Sequence, residues 1–157
     1  MFTFHFIAVS QHPAGPWQEL VSNYTKRLSG LAKVQTTYIK PEKIVPTVSK
    51  AKVLSAEGER ILKQVSADSV LIACDEFGKQ FTSVEFVQQL ERWSIQQTKT
   101  ITFVLGGPLG LSPEVKQAAT ITLALSHWTL PHDLAAVVLL EQLYRAMTID
   151  HHKTYHY

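Results

Sequence analysis

The feature that most constrains this chain is a recurring change of hydrophobic period. Apolar and β-branched runs at 2–9, 31–39, 69–74, 101–105 and 120–125 are each of strand length. Between them the apolar residues fall at helical spacing. Trp17, Leu20, Val21, Tyr24 and Leu28 share one face of 16–28, and Val53, Leu54, Ile61 and Leu62 share one face of 49–65. Ser83 stands as an N-cap before Phe86, Val87, Leu90 and Trp93. Pro113 opens a short helix, and 133–149 is a long apolar one. Residues 41–46 read as a flexible loop, and Phe77-Gly78-Lys79 as a turn. Strands alternating with helices predict an α/β fold, a mostly parallel sheet with helices on both faces. In such sheets ligands sit beyond the carboxyl ends of the strands, which directs attention to the loops after Cys74, Leu105 and Leu125.

The chain has 157 residues, a length that suits one domain, 1–157, with a true core. With 45% hydrophobic and 18% charged residues it is neither a disordered tail nor a collagen-like rod. One cysteine, Cys74, excludes an intrachain disulfide and fits a reducing compartment. The opening MFTFHFIAVS lacks the basic region and cleavage site of a signal peptide. The longest strongly apolar run, 134–140, is too short to cross a bilayer, so a soluble cytoplasmic protein is expected. The net charge of +2 conceals an asymmetry: nine basic against four acidic residues in 1–66, six against nine in 67–157. A basic half suits a polyanion, although a solvated helix face is the commoner origin of such a bias.

Four places carry residues suited to chemistry. Gly106-Gly107-Pro108-Leu109-Gly110 joins a buried strand to the Ser112-Pro113 helix start. Its glycines let the backbone approach a ligand, yet it lacks both the G-x-G-x-x-G and the Gly-Lys-Ser/Thr spacings. On its own it fits a tight turn equally well. Leu125-Ser126-His127-Trp128-Thr129-Leu130-Pro131-His132 offers extended backbone and apolar side chains able to sandwich a flat ring such as adenine. His132 begins the last helix, where a structural hydrogen bond is the commoner use of a histidine. Glu141 and Arg145 stand at i,i+4 on that helix. They fit a structural ion pair, or an arginine aimed at a phosphate or an anionic base. The tail, 150–157, carries aromatic rings and histidines able to stack on bases or close over a pocket. Those histidines lack the companions of a zinc site, so no metal is expected.

Taken in order, LGGPLGLSP (105–113), LSHWTLPH (125–132), LLEQLYRA (139–146) and the closing TYHY (154–157) resemble the ribosomal large-subunit RNA methyltransferase H family, small members of the SPOUT or trefoil-knot methyltransferases. FIAVS near the start and the DEFGK segment (75–79) agree, so the resemblance runs over essentially the whole chain. It implies an α/β domain with a C-terminal trefoil knot, which element order alone does not reveal. It implies S-adenosylmethionine as cofactor, a homodimer, and methylation of N3 of a pseudouridine in large-subunit (23S) rRNA of the assembled ribosome. Carried over position by position, the cofactor site is Cys74, Gly106, Leu125, Ser126, His127, Trp128, Thr129 and Leu130. His132, Arg145 and Tyr155 take the substrate-binding and catalytic positions. Two departures stand out: Cys74 replaces a usual Leu, and Ala136 replaces an Arg that many members carry, which weakens the positive field over the pocket.

The chemistry implied is in-line methyl transfer to a deprotonated nitrogen. Arg145 would stabilise the anionic base or a neighbouring phosphate, His132 or a water it holds would accept the proton, and Tyr155 would cover the base. The alternative is a non-catalytic RNA-binding or ribosome-assembly protein on the same fold. A nucleotide-binding oxidoreductase fails for want of the dinucleotide fingerprint.

Overall fold

Each strand-length run becomes a strand and each helical stretch a helix in the computed structural model, which describes every residue except 12, 97–99, 154 and 156–157. In chain order these are β1 (Thr3–Val9), α1 (Pro16–Ser29), β2 (Lys33–Ile39), α2 (Lys50–Leu62), β3 (Val70–Lys79), α3 (Ser83–Gln96), β4 (Thr100–Leu105), α4 (Pro113–Ala118), β5 (Ile121–Leu123) and α5 (His132–Asp150). The five strands form one sheet in the order β2-β1-β4-β3-β5, every pairing parallel. The chain winds outward from β1 to β2 and then crosses to the other side, so the order reverses between β1 and β4. That is where the carboxyl ends of neighbouring strands leave a crevice.

Period-two alternation sorts the side chains onto two faces. Phe4, Phe6 and Ala8 of β1, Ile101, Phe103 and Leu105 of β4, and Val70 and Ile72 of β3 meet the larger core, which also takes Leu28 of α1, Phe86, Val87, Leu90 and Trp93 of α3, and Leu139, Leu140 and Leu143 of α5. Ile7, Val9, Leu71, Ala73 and Val104 point the other way, toward Ile61 of α2 and Val115 of α4. Helices α1, α3 and α5 therefore cover one face and α2 and α4 the other, as the sequence predicts.

Three local expectations are corrected. Phe77-Gly78-Lys79 is not a turn: β3 runs on through it, and Leu123 pairs with both Cys74 and Lys79. The chain thus leaves β5 and returns to it, a long-range pairing that three residues of sequence do not announce. Strand β5 ends at Leu123 rather than at 125. The cap of α3 is Thr82, not Ser83: Thr82 Oγ1 accepts from Glu85 N at 3.2 Å, and Glu85 Oε2 accepts from Thr82 N at 2.8 Å. This reciprocal capping box outcompetes a serine one position into the helix.

The stretch 41–46 has no regular structure but is tied to α2. Glu57 Oε1 accepts from Glu42 N at 2.9 Å, Arg60 Nη1 donates to Lys40 O at 2.8 Å, and Arg60 pairs with the Glu42 carboxylate.

Candidate functional site

The strand register brings the three loops chosen from the sequence to one rim. Cys74 pairs with Leu105 on one side and with Leu123 on the other, so the chain beyond Cys74, still within β3, and the segments after β4 and β5 meet side by side at this rim. Burial pushes the Cys74 thiol up to about 12, with the neighbouring Asp75 charge adding to it. The thiol therefore stays protonated, and this position can offer a ligand its main chain but no thiolate.

The glycine loop is shaped by close backbone packing. Gly110 N donates to Gly107 O at 2.9 Å and Gly110 sits at φ 86°, where a side chain is strained. A Cβ on Gly106 would lie 2.5 Å from Gly110 O. The loop is held from beneath by α2. The Glu57 carboxylate reaches within 3.4 Å of where a Gly107 Cβ would stand, and Gly58 leaves room for Ser112, whose Oγ caps α4 by accepting from Val115 N at 3.3 Å. Glu57 is 3% exposed, and burial pushes its carboxyl above the ordinary range.

The segment after β5 is fastened to the segment after Cys74. His127 Nδ1 donates to Glu76 O at 3.0 Å, Thr129 Oγ1 donates to the Glu76 carboxylate, and Trp128 N donates to Ser126 Oγ at 2.9 Å. Burial would raise the Asp75 carboxyl, but hydrogen bonds from Lys116 and from Phe77 N, together with the Lys116 charge, hold it below the usual range. Two large rings stand out from this rim, Phe77 at 86% and Trp128 at 83% exposure. His132 completes it. Its Nδ1 donates to Gly106 O at 3.1 Å, because a carbonyl can only accept. In the neutral ring Nε2 is then the acceptor, the atom able to take a proton.

Arg145 and Tyr155 lie elsewhere. Arg145 stands thirteen residues beyond His132 on α5, about 20 Å along a helix axis. It belongs to a separate cluster built by α5, α1 and Tyr155. Arg145 Nη2 and Nε donate to Glu141 Oε1 at 2.6 and 3.1 Å, and this bond holds the guanidinium above its ordinary value. The guanidinium carbon lies 4.9 Å from the Tyr155 ring centre, and that ring meets Tyr144 edge-on at 4.8 Å. Burial, with a hydrogen bond to Tyr24, pushes the Tyr155 phenol up. Of the tail motif, Thr154, His156 and Tyr157 lie outside the described residues.

The structure thus brings Cys74, Gly106, the segment Leu125 to Leu130 and His132 together, and leaves Arg145 and Tyr155 apart from them within one chain. Sequence reasoning passed over Glu57, Glu76, Tyr24, Arg27 and Tyr144. Tyr24 and Arg27 share an i,i+3 spacing that could have flagged them; the others work through partners far away in sequence. Among the described residues no group of three or more His, Cys, Asp or Glu could hold a metal ion, and no helix is long and apolar enough to cross a membrane.

A family model described as "Predicted SPOUT methyltransferase" matches residues 2–156. The protein named ribosomal RNA large subunit methyltransferase H of Maridesulfovibrio salexigens is 40% identical over 159 residues, covering 100% of this chain and 99% of that one. Proteins of the same name from Syntrophobacter fumaroxidans and an Exiguobacterium species are each 43% identical, over 87% of both chains. A solved structure, a probable methylase family protein from Haemophilus influenzae Rd KW20, superposes with a TM-score of 0.54 at 13% identity, covering 99% of this chain and 70% of that one, a likeness of fold alone. With a rim of glycine-rich and extended loops closed by His132 on an all-parallel sheet, the chain belongs to the SPOUT methyltransferases, in the ribosomal RNA large subunit methyltransferase H family.

Proposed function

We propose that this protein transfers a methyl group from S-adenosylmethionine to N3 of a pseudouridine in large-subunit rRNA, on the assembled ribosome, and works as a homodimer in the cytoplasm. The observation that carries the proposal is the meeting of the chain beyond Cys74, Leu105 and Leu123 at one rim with His132 tethered to Gly106, in a chain 40–43% identical to proteins named ribosomal RNA large subunit methyltransferase H. The residues suit that cofactor. Glycines without side chains expose main-chain groups for its polar ends, and Leu125, Leu130 and Trp128 offer apolar surface to a flat base. Cys74, Gly106 and Leu125 through Leu130 would hold it. When bound, S-adenosylmethionine supplies a methyl group already activated by its sulfonium, so no metal is called for.

The protein's share is placement and proton handling. Gly106 O fixes the imidazole of His132, leaving Nε2 free to accept the N3 proton directly or through a water. Loss of that proton leaves negative charge on the base, which the Arg145 guanidinium would stabilise while Tyr155 covers the ring. Arg145 lies about 20 Å along α5 from His132 in the same chain, too far for both to act on one base. An isologous pair of chains would set the His132 end of one against the Arg145 end of the other, twice over. The half-exposed apolar residues Trp17, Val21 and Tyr24 of α1 and Leu134 and Val138 of α5 support such a contact. The resemblance further supports one domain over 1–157 and a C-terminal trefoil knot.

Two measurements test the proposal. Calorimetric titration should detect S-adenosylmethionine binding, and tritiated methyl transfer should label large-subunit rRNA in whole ribosomes and not the naked rRNA. Binding without transfer to either substrate would leave only an adaptor on this fold.

A further inference from the structure

The Arg145 cluster contains a second guanidinium with a different electrostatic state. Arg27 lies on the last turn of α1, exposed, with its guanidinium carbon 5.7 Å from the Tyr24 ring centre and 5.9 Å from that of Tyr144. Tyr144 meets Tyr155 edge-on, and the Arg145 guanidinium covers Tyr155, so the two arginines sit on one connected set of rings. Their charges are not equivalent. Arg145 is spent on Glu141, whose Oε1 also faces the Tyr155 hydroxyl at 3.5 Å and whose Oε2 accepts from Gln142 at 2.6 Å. Arg27 has no carboxylate partner among the described residues, in contrast to Arg60, paired with Glu42, and Arg145, paired with Glu141.

A cation at a helix C-terminus ordinarily does no more than complement the dipole, and Lys26 beside it serves that purpose. The dipole does not require a guanidinium to reach across to a tyrosine on another helix. With its carbon within 6 Å of two ring centres and no carboxylate partner among the described residues, the guanidinium can offer its forked N–H donors to a phosphate. The cluster carries one cancelled charge pair and one uncancelled positive charge.

We infer that Arg27 is a further substrate-binding residue, the uncompensated cation that takes an rRNA phosphate beside the nucleoside on which Arg145 acts. The inference rests on the methyl-transfer function proposed above and names its electrostatic anchor. It separates two roles that the sequence assigned to one residue, since Arg145 is neutralised locally and acts at short range on the base.

The test compares wild type, Arg27→Lys and Arg27→Gln in steady-state methyl transfer to ribosomes and in ribosome co-sedimentation, each over a series of salt concentrations. Arg27→Gln should raise KM for ribosomes about tenfold with kcat within about twofold, and should reduce the slope of log affinity against log salt by about one. Arg27→Lys should keep the slope and most of the affinity, and all three should bind S-adenosylmethionine equally. Wild-type KM and salt slope in Arg27→Gln would overturn the inference. Equal loss of ribosome affinity in both variants with a shift to monomers would also overturn it, by making Arg27 a packing residue. Absence of methyl transfer by the wild type would instead overturn the proposed function, and co-sedimentation would still decide the role of Arg27.

Discussion

At the scale of single residues, one hydrogen bond or one buried group sets what each side chain can do. His132 is tautomerically committed by Gly106 O. Replacing it by Ala removes both the tether and the acceptor, and turnover on ribosomes should fall by about 10²–10⁴ with the protein still folded by circular dichroism. Cys74, with its thiol pushed up to about 12, should react with iodoacetamide near neutral pH at least about tenfold more slowly in the native protein than in denaturant. Comparable rates would mean that the thiol is reachable and ordinary. Glu57 gives a pH dependence. Burial raises its folded value above the ordinary 4.5, so its stabilising contribution is present below that value and is lost as pH climbs through the raised one. Glu57→Gln keeps an oxygen for Glu42 N and never ionises. Its denaturation midpoint should match the wild type near about pH 4 and exceed it increasingly toward neutrality; a gap independent of pH would show that Glu57 is not charged there at a cost.

At the scale of elements, most of the fold was legible because period carries it. Phe86, Val87, Leu90 and Trp93 of α3 are all buried, and the alternation in β1 and β4 sorts residues between two cores as the pattern demands. What failed to show was long-range. The DEFGK segment contains a glycine and reads as a turn, yet Gly78 is there because the chain passes against β5. A Cβ at Gly78 would lie 2.6 Å from Thr122 O and 2.7 Å from Leu123 C, both backbone atoms unable to rotate away. Gly78→Ala should therefore destabilise the protein by about 2–4 kcal/mol in chemical denaturation, well beyond the small penalty of a surface glycine change. At the rim, His132 and the glycine loop were readable as motifs, and Glu141–Arg145 as an i,i+4 pair. The α2 support of the glycine loop was not, since Glu57 and Gly107 lie fifty residues apart in sequence with nothing local to link them.

At the scale of the molecule, the placement of the two candidate half-sites at opposite ends of α5 makes a prediction about mixing. If a base is served by His132 of one chain and Arg145 of the other, His132→Ala and Arg145→Ala homodimers should each be inactive. Subunit exchange between equal amounts should then restore about a quarter of wild-type activity, because half the dimers carry one intact site of two. No recovery after confirmed exchange would place all the chemistry in one chain. The clasp around β5 has its own outcome. A three-residue strand at the margin of a sheet is ordinarily the first to fray. Here Thr120 N donates to Leu71 O at 2.8 Å and Ala124 N to Lys79 O at 3.0 Å, so the strand is gripped at both its entrance and its exit by the same neighbour. Deuterium should enter these amides no faster than those of the central strands. This edge strand would then open only with the whole molecule, which keeps the coenzyme-binding segment that follows it in place through every smaller fluctuation.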